Sequence, residues 1–222
     1  MSKNLKNDSA ARTAAREAWT TAFVQQCRAA NARRVMIASA GNDGDGVMLA
    51  VELAETLAAA GAKVLVVDCD LRRGALQKQL QRSVPEEKCL AAVLTAAQGT
   101  RPGAVSTRGF HAVLAGETDQ MPSALLDSPR MKELLNDLTQ HYDYVLCVAP
   151  PVSAAPDAGV LGRRCDGAVL AVRYRGTDRR TVTDAATVLQ HSGTKLLGTV
   201  LTEYDLTMAR KMGEPYIHYG RS

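Results

Sequence analysis

A chain of 222 residues has room for one domain with a single buried core, and its 46% apolar and 23% charged content excludes a disordered default. The formal charge of +4 is mild, and the arginines fall in scattered pairs rather than one tract, which argues against nucleic acid as a partner. No apolar run approaches the ~20 residues needed to span a bilayer, and the start, Met1 to Asn7, lacks the apolar core of a secretion signal.

Residues 1–10 are polar and expected to be flexible. From Ala11 to Ala30 the chain is alanine-rich and carries Trp19, Phe23 and Cys27 at four-residue spacing, which predicts an amphipathic helix. Apolar strands and helices then alternate. Strands are expected at Arg34–Ala38, Lys63–Asp68, His111–Leu114, Tyr144–Val148, Gly167–Val172 and Lys195–Leu201. Helices are expected at Val47–Gly61, Leu90–Ala97 and Asp178–His191. Another should open at Ser128-Pro129, with serine as N-cap, proline at the first helical position, and Met131, Leu134, Leu135 and Leu138 as its buried stripe.

The strands are continuous apolar runs without alternation. That pattern predicts an α/β fold with a mostly parallel central sheet and helices on both faces. One domain should occupy 11–205, followed by a tail over 206–222. The five cysteines show no C-x-x-C spacing, so free buried thiols in a reducing compartment are expected, with neither disulfides nor a metal site.

Between the first strand and its helix lies Ser39-Ala-Gly-Asn-Asp-Gly-Asp-Gly-Val-Met48, the place of a phosphate-binding loop. A loop of the G-x-x-x-x-G-K-[ST] type needs a lysine to reach the β/γ-phosphates and a hydroxyl to hold magnesium. In register those positions hold Gly46, Val47 and Met48. With Gly46 read in the lysine's place, a unit positive charge is lost, and Asp43 and Asp45 add repulsion. At about 4 Å each charge is worth roughly 1 kcal/mol in bulk water and ~4 kcal/mol near a protein surface.

Four further strings occur in order. They are Val66-Val-Asp68-Cys-Asp70-Leu-Arg72-Arg73-Gly74, Leu126 to Leu135, His141 to Val152, and Asp166 to Arg173. Together they resemble the bacterial tyrosine kinases that partner polysaccharide copolymerases, a family with a P-loop NTPase-like fold. The resemblance runs from about Glu17 to Thr202. It implies a nucleotide site in which Asp68 and Asp70 are retained acidic positions, and it implies departures elsewhere. The third motif's metal-orienting aspartate aligns with Val148, and the asparagine near the adenine aligns with Thr202. The oligomerisation signature, a glutamate followed at three-residue steps by two arginines, reads Glu17, Thr20, Phe23. The tyrosine-rich tail shrinks to Tyr216 and Tyr219 as candidate phosphoacceptors, with Tyr204 upstream.

The resemblance therefore implies a pseudokinase with no catalytic residue, no cofactor and no metal, Asp68 and Asp70 being inert. Its expected place is cytoplasmic, peripheral at the inner membrane through the cytoplasmic segment of a copolymerase, without insertion of its own. Self-association or a paralogous kinase is a further expected contact. The pathway would build a capsule, a free exopolysaccharide or a holdfast. A residual nucleotide sensor or an unorthodox autokinase of the same pathway is the alternative.

Other readings of the residues are weaker. Asp68 could simply end a strand and cap the next segment through hydrogen bonds. The loop nearly matches T-G-x-x-x-G-x-G of short-chain dehydrogenases, but Ala40 replaces the first glycine and no Tyr-x-x-x-Lys pair follows. A positioning ATPase also needs the lysine, and Gly213 and Pro215 interrupt the tail where an amphipathic helix would lie. His111, His141, His191 and His218 have no ligand spacing.

Overall fold

The structure, a computed structural model, describes residues 2–42, 44–96 and 99–203. Seven strands form one sheet in the order β3-β4-β2-β5-β1-β6-β7. They are β1 (Arg34–Ser39), β2 (Val64–Asp68), β3 (Val105–Thr107), β4 (Phe110–Val113), β5 (Tyr144–Val148), β6 (Gly167–Arg173) and β7 (Leu196–Thr202). Every neighbouring pair is parallel except β3 and β4, a hairpin at one edge. β1, β2 and β5 are buried along almost their whole length. Two covered faces leave no solvent side for polar residues, hence the unbroken apolar runs.

On one face lie α1 (Ser2–Ala30), α2 (Asp45–Ala59) and α3 (Ala75–Leu80); on the other lie α4 (Leu90–Thr95), α5 (Pro122–Asp127), α6 (Pro129–His141), α7 (Asp157–Gly162) and α8 (Arg179–His191). α1 begins at Ser2 rather than at Ala11, because no glycine or proline interrupts the backbone before Ala30. α6 opens as its sequence dictates. The Ser128 side chain accepts from Met131 N at 3.1 Å, Pro129 follows, and Met131, Leu134, Leu135 and Leu138 are buried. Burying each such side chain is worth about 1.5–3 kcal/mol. Asp178 caps α8 in the same way through Thr181 N. The short elements α3, α5 and α7 and the strand β3 were not expected.

An ion pair fixes the amino end of the sheet. Asp166, ahead of β6, accepts from the Arg34 backbone N–H (2.8 Å) and from its guanidinium (2.7 Å). Burial pushes the Asp166 carboxyl up, but Arg34 and two backbone N–H groups outweigh it and hold the acid below its ordinary range. All five cysteines are free, and Cys27, Cys69, Cys89 and Cys147 are buried. Burial pushes the Cys27 thiol up to about 12, which keeps it protonated and unreactive. Among the described residues no helix is long and apolar enough to cross a membrane.

Candidate functional site

The carboxyl ends of β2, β5, β1, β6 and β7 line one rim of the sheet, where open parallel sheets bind their ligands. The glycine-rich turn leaves β1 there and enters α2. Its geometry corrects the register of the loop. A Cβ on Gly46 would meet Ser39 N at 3.0 Å, Ser39 Oγ at 3.1 Å and the Ala38 carbonyl carbon at 3.2 Å. Gly46 is thus the pattern's second glycine, required by the close approach of α2 to β1, and Val47 stands in the lysine's place. The Gly46 N–H donates to Ser39 Oγ at 2.7 Å and closes the turn on itself. Val47 is buried in the apolar cluster with Leu49 and Ile37.

Asp45 also departs from expectation. It does not project as a free negative charge. It lies 0% exposed in the first turn of α2, and its carboxylate is ion-paired to the Arg173 guanidinium at the end of β6. Arg173 Nε sits 3.2 Å from each carboxylate oxygen, and the Thr202 hydroxyl, at the end of β7, donates to Oδ2. The repulsion expected of Asp45 is therefore compensated inside the fold, and its carboxylate ties three elements together. Asp43 lies outside the described residues.

Asp68 and Asp70 come together at the end of β2, both buried. Asp68 Oδ1 accepts from Asp70 N (3.1 Å) and Oδ2 from Leu76 N in α3 (2.9 Å), so both its oxygens serve the turn that follows the strand. Burial pushes the Asp68 carboxyl up to about 7, against the pull of those two N–H groups. Asp70 accepts from Arg73 Nε at 2.7 Å, and Arg73 Nη1 donates to Asn42 Oδ1 in the glycine-rich turn at 2.8 Å. Arg72 makes a two-pronged pair with Asp157, buried in the first turn of α7, at 2.7 and 3.2 Å. The second acidic motif is thus spent on holding α3, the glycine-rich turn and α7. Val148 pairs with Asp68 on one side and Ile37 on the other and is fully buried.

These residues do not fit a magnesium nucleotide. The lysine's place is apolar, the third-motif carboxylate is a buried valine, and the two retained aspartates are occupied by backbone N–H groups and Arg73. Among the described residues no group of three or more His, Cys, Asp or Glu side chains is placed to hold a metal ion. Thr20 and Phe23, at the two arginine positions of the oligomerisation signature, both point inward: Phe23 packs on the Tyr144 ring at 5.8 Å, and Thr20 is buried. Tyr204, Tyr216 and Tyr219 lie outside the described residues. Arg72, Arg73 and Arg173 stood inside the first and fourth of the strings that carry the resemblance, but no partner could be named for them, and Asp157 carried no signal at all.

A glycine-rich turn between a central parallel strand and its helix, with an acidic motif ending the next strand but one in the sheet, defines the P-loop NTPase-like class. A ParA-family ATPase from Chlorobium tepidum shares that fold with a TM-score of 0.60 at 15% identity, over 82% of this chain and 78% of that one. Within the class, the chain belongs to the bacterial tyrosine kinase family. It is 30% identical over 183 residues to the tyrosine-protein kinase YwqD of Bacillus subtilis, covering 82% of this chain and 76% of that protein. The kinase domain of the Escherichia coli tyrosine kinase ETK superposes with a TM-score of 0.70 at 27% identity, over 85% of this chain and 72% of that one. No family model matches the chain.

Proposed function

We propose that this chain is a non-catalytic member of its family, a pseudokinase that serves as the partner of an inner-membrane polysaccharide copolymerase in the synthesis and export of an extracellular polysaccharide. The observation that carries the reading is the Asp45 carboxylate, buried in the first turn of α2 and held by Arg173 and Thr202. Phosphoryl transfer rests on positioning and on neutralising the charge of the transferred group by lysine and metal. A carboxylate, a valine at position 47 and a valine at position 148 supply neither. The copolymerase as partner follows from the family resemblance, and so does a cytoplasmic position at the inner membrane. Tyr216 and Tyr219 would then be acceptors for another kinase or plain tail residues.

The test pairs chemistry with genetics. The purified chain, incubated with Mg-ATP and the copolymerase's cytoplasmic segment, should gain no phosphate on Tyr216 or Tyr219. In a deletion strain that has lost its polysaccharide, Asp70→Ala should restore production, whereas Leu135→Asp should not, because it unfolds the α6 packing. Phosphotyrosine that disappears with Asp70→Ala would overturn the reading and favour an unorthodox autokinase. A folded Asp70→Ala protein that fails to restore the polysaccharide would favour a residual nucleotide sensor.

A further inference from the structure

A cleft opens at the amino ends of β1 and β5, at the far end of the sheet from the glycine-rich turn. Its volume of about 540 Å³ lies within the roughly 300–1,000 Å³ of small-molecule sites. The last turns of α1 and α2 frame it, and the two helices stop in the same way. Ala32 N donates to the Cys27 carbonyl at 2.8 Å, and Asn31 N to that of Arg28 at 3.2 Å. Ala62 N donates to the Leu57 carbonyl at 3.0 Å, and Gly61 N to that of Ala58 at 2.9 Å. Asn31 and Gly61, with φ 51° and 89°, supply the left-handed residue that such a cap requires. Cys27, Ala32, Leu57 and Ala62, which these caps bring together, form the apolar lining of the cleft with Val24.

The polar lining comes from Arg28, Asn31, Arg33, Asp143 and Tyr144. The Arg28 guanidinium, the Asn31 carboxamide and the Tyr144 hydroxyl have no hydrogen-bond partner among the described residues. Burial pushes the Tyr144 phenol up, against the pull of Arg28, so the hydroxyl keeps its proton and remains a donor. Arg33 donates to the Tyr142 carbonyl at 2.7 Å, a neutral acceptor that does not cancel its charge. The one carboxylate, Asp143, already accepts from Lys63 N at 2.8 Å. A bare helix end draws cations through its last carbonyls. Here the caps occupy two of those carbonyls at each end, and two guanidiniums face a single engaged acid. The sign favours an anion, and the apolar lining beside it favours one with a body.

We propose that this cleft binds a small amphipathic anion, a single carboxylate, sulfonate or phosphate group on an aromatic or alkyl body. The head takes the Arg28 guanidinium, the Asn31 amide and the Tyr144 hydroxyl as donors, and charge-assisted bonds of this kind are the strong ones. The body lies on the apolar lining between the two caps, where its burial adds to the affinity. The site shares no residue with the glycine-rich turn or the acidic motif, so it stands whether or not the chain transfers phosphate.

Fluorescence titration of the full chain with anilinonaphthalene sulfonate, an aromatic body with one sulfonate, tests this. At about 0.15 M salt the general attraction of a +4 protein is screened. Binding should saturate at one equivalent, with a Kd on the order of 30 µM for a ligand of that size. Phenylpropionate should displace the dye at a concentration at least tenfold lower than phenylpropanamide needs. Phenylpropylammonium and 10 mM inorganic phosphate should leave the dye in place. Arg28→Gln, at an exposed position, should melt like wild type and bind about tenfold more weakly. Asn31→Gly keeps the left-handed cap and removes the amide, and should cost about threefold. Ala60→Phe, at an exposed position in the lining, should block the cleft. Arg180→Gln, at a side chain 91% exposed on α8, should change nothing. The proposal is overturned by dye binding that does not saturate below 1 mM, or by an amide that displaces as well as the carboxylate. Phosphate that displaces alone, or an Arg28→Gln protein that binds like Arg180→Gln, overturns it equally.

Discussion

The guanidinium of Arg173 holds the carboxylate of Asp45 across 128 residues of sequence, joining the end of β6 to the first turn of α2. In an active loop of this type the first turn of the helix turns its N–H groups to a phosphate. Here an acidic side chain of that same turn complements the helix dipole from within, and its carboxylate accepts from Arg173 and Thr202.

Removing Arg173 should therefore cost more than a surface ion pair would. Arg173→Ala leaves the Asp45 carboxylate buried with one pairing charge gone, a situation worth about 3–5 kcal/mol when both partners are buried. The Arg173 side chain is itself about one-third exposed, so a loss of roughly 2–3 kcal/mol is expected. Adding Asp45→Asn should recover at least half of it. Urea unfolding of the two single variants and the double variant checks this; losses that simply add would mean that the two groups do not stabilise each other.

Mg-ATP should leave the melting temperature unchanged at millimolar concentration. A ligand at 100 times its dissociation constant adds about 2.7 kcal/mol, or roughly 5–10 °C for a domain of this size. Differential scanning fluorimetry resolves far less than that. A rise of several degrees, abolished by Asp70→Ala, would mean that the retained acidic motif still works.

The sheet was legible because its strands are unbroken apolar runs, and α6 because Ser128, Pro129 and a stripe of one methionine and three leucines announce a cap and a face. α3, α5 and α7 are six residues each. That is under two turns, too short for a 3.6-residue period to register. β3 has three residues with one buried, and it exists by pairing with β4. In the site, the missing lysine could be read from the loop, whereas which residue stands in its place, Gly46 or Val47, is fixed by the close approach of Gly46 to Ser39. The pairs Arg173–Asp45 and Arg72–Asp157 could not be read, because nothing in a sequence says which of many arginines meets which acid across the sheet. Asp45 thus looked like a repelling charge, and it is a tether.

Asp68 should reveal itself through pH. Its folded-state carboxyl is pushed up to about 7 by burial, above the 3.8 ordinary for an aspartate. Its contribution to stability is fully present below pH 4 and is lost as the pH rises toward 7, because the unfolded chain sheds this proton first. Asp68→Asn does not titrate, so stability of wild type relative to this variant should fall by about 1.4 kcal/mol per pH unit in that window and level off above it. Between pH 5 and pH 7 the gap should move by roughly 2–3 kcal/mol, whatever constant offset the lost acceptor introduces. A difference that stays flat from pH 5 to 8 would place the carboxyl in its ordinary range.

Gly46 and Gly44 separate two reasons for a glycine in one loop. Gly44 has φ 76° with no atom within 4 Å of a would-be Cβ, so Gly44→Ala meets only the backbone preference against left-handed geometry, about 1 kcal/mol. Gly46 lies inside α2, and its difficulty is space: an added methyl presses on Ser39 N and on the Ala38 carbonyl carbon, which are backbone and cannot swing away. Overpacking of this kind costs about 1–3 kcal/mol and also strains the 2.7 Å bond from Gly46 N to Ser39 Oγ. Gly46→Ala should thus lower the melting temperature more than Gly44→Ala. Gly46→Lys should abolish cooperative folding, whereas Val47→Lys should still give a folded, if less stable, protein, because the lysine of an intact loop occupies that place and reaches out from it. Thermal melts of the four variants order them directly. Equal tolerance of lysine at 46 and 47 would contradict the register assigned to the loop, and with it the placement of Val47 where a phosphate-binding lysine belongs.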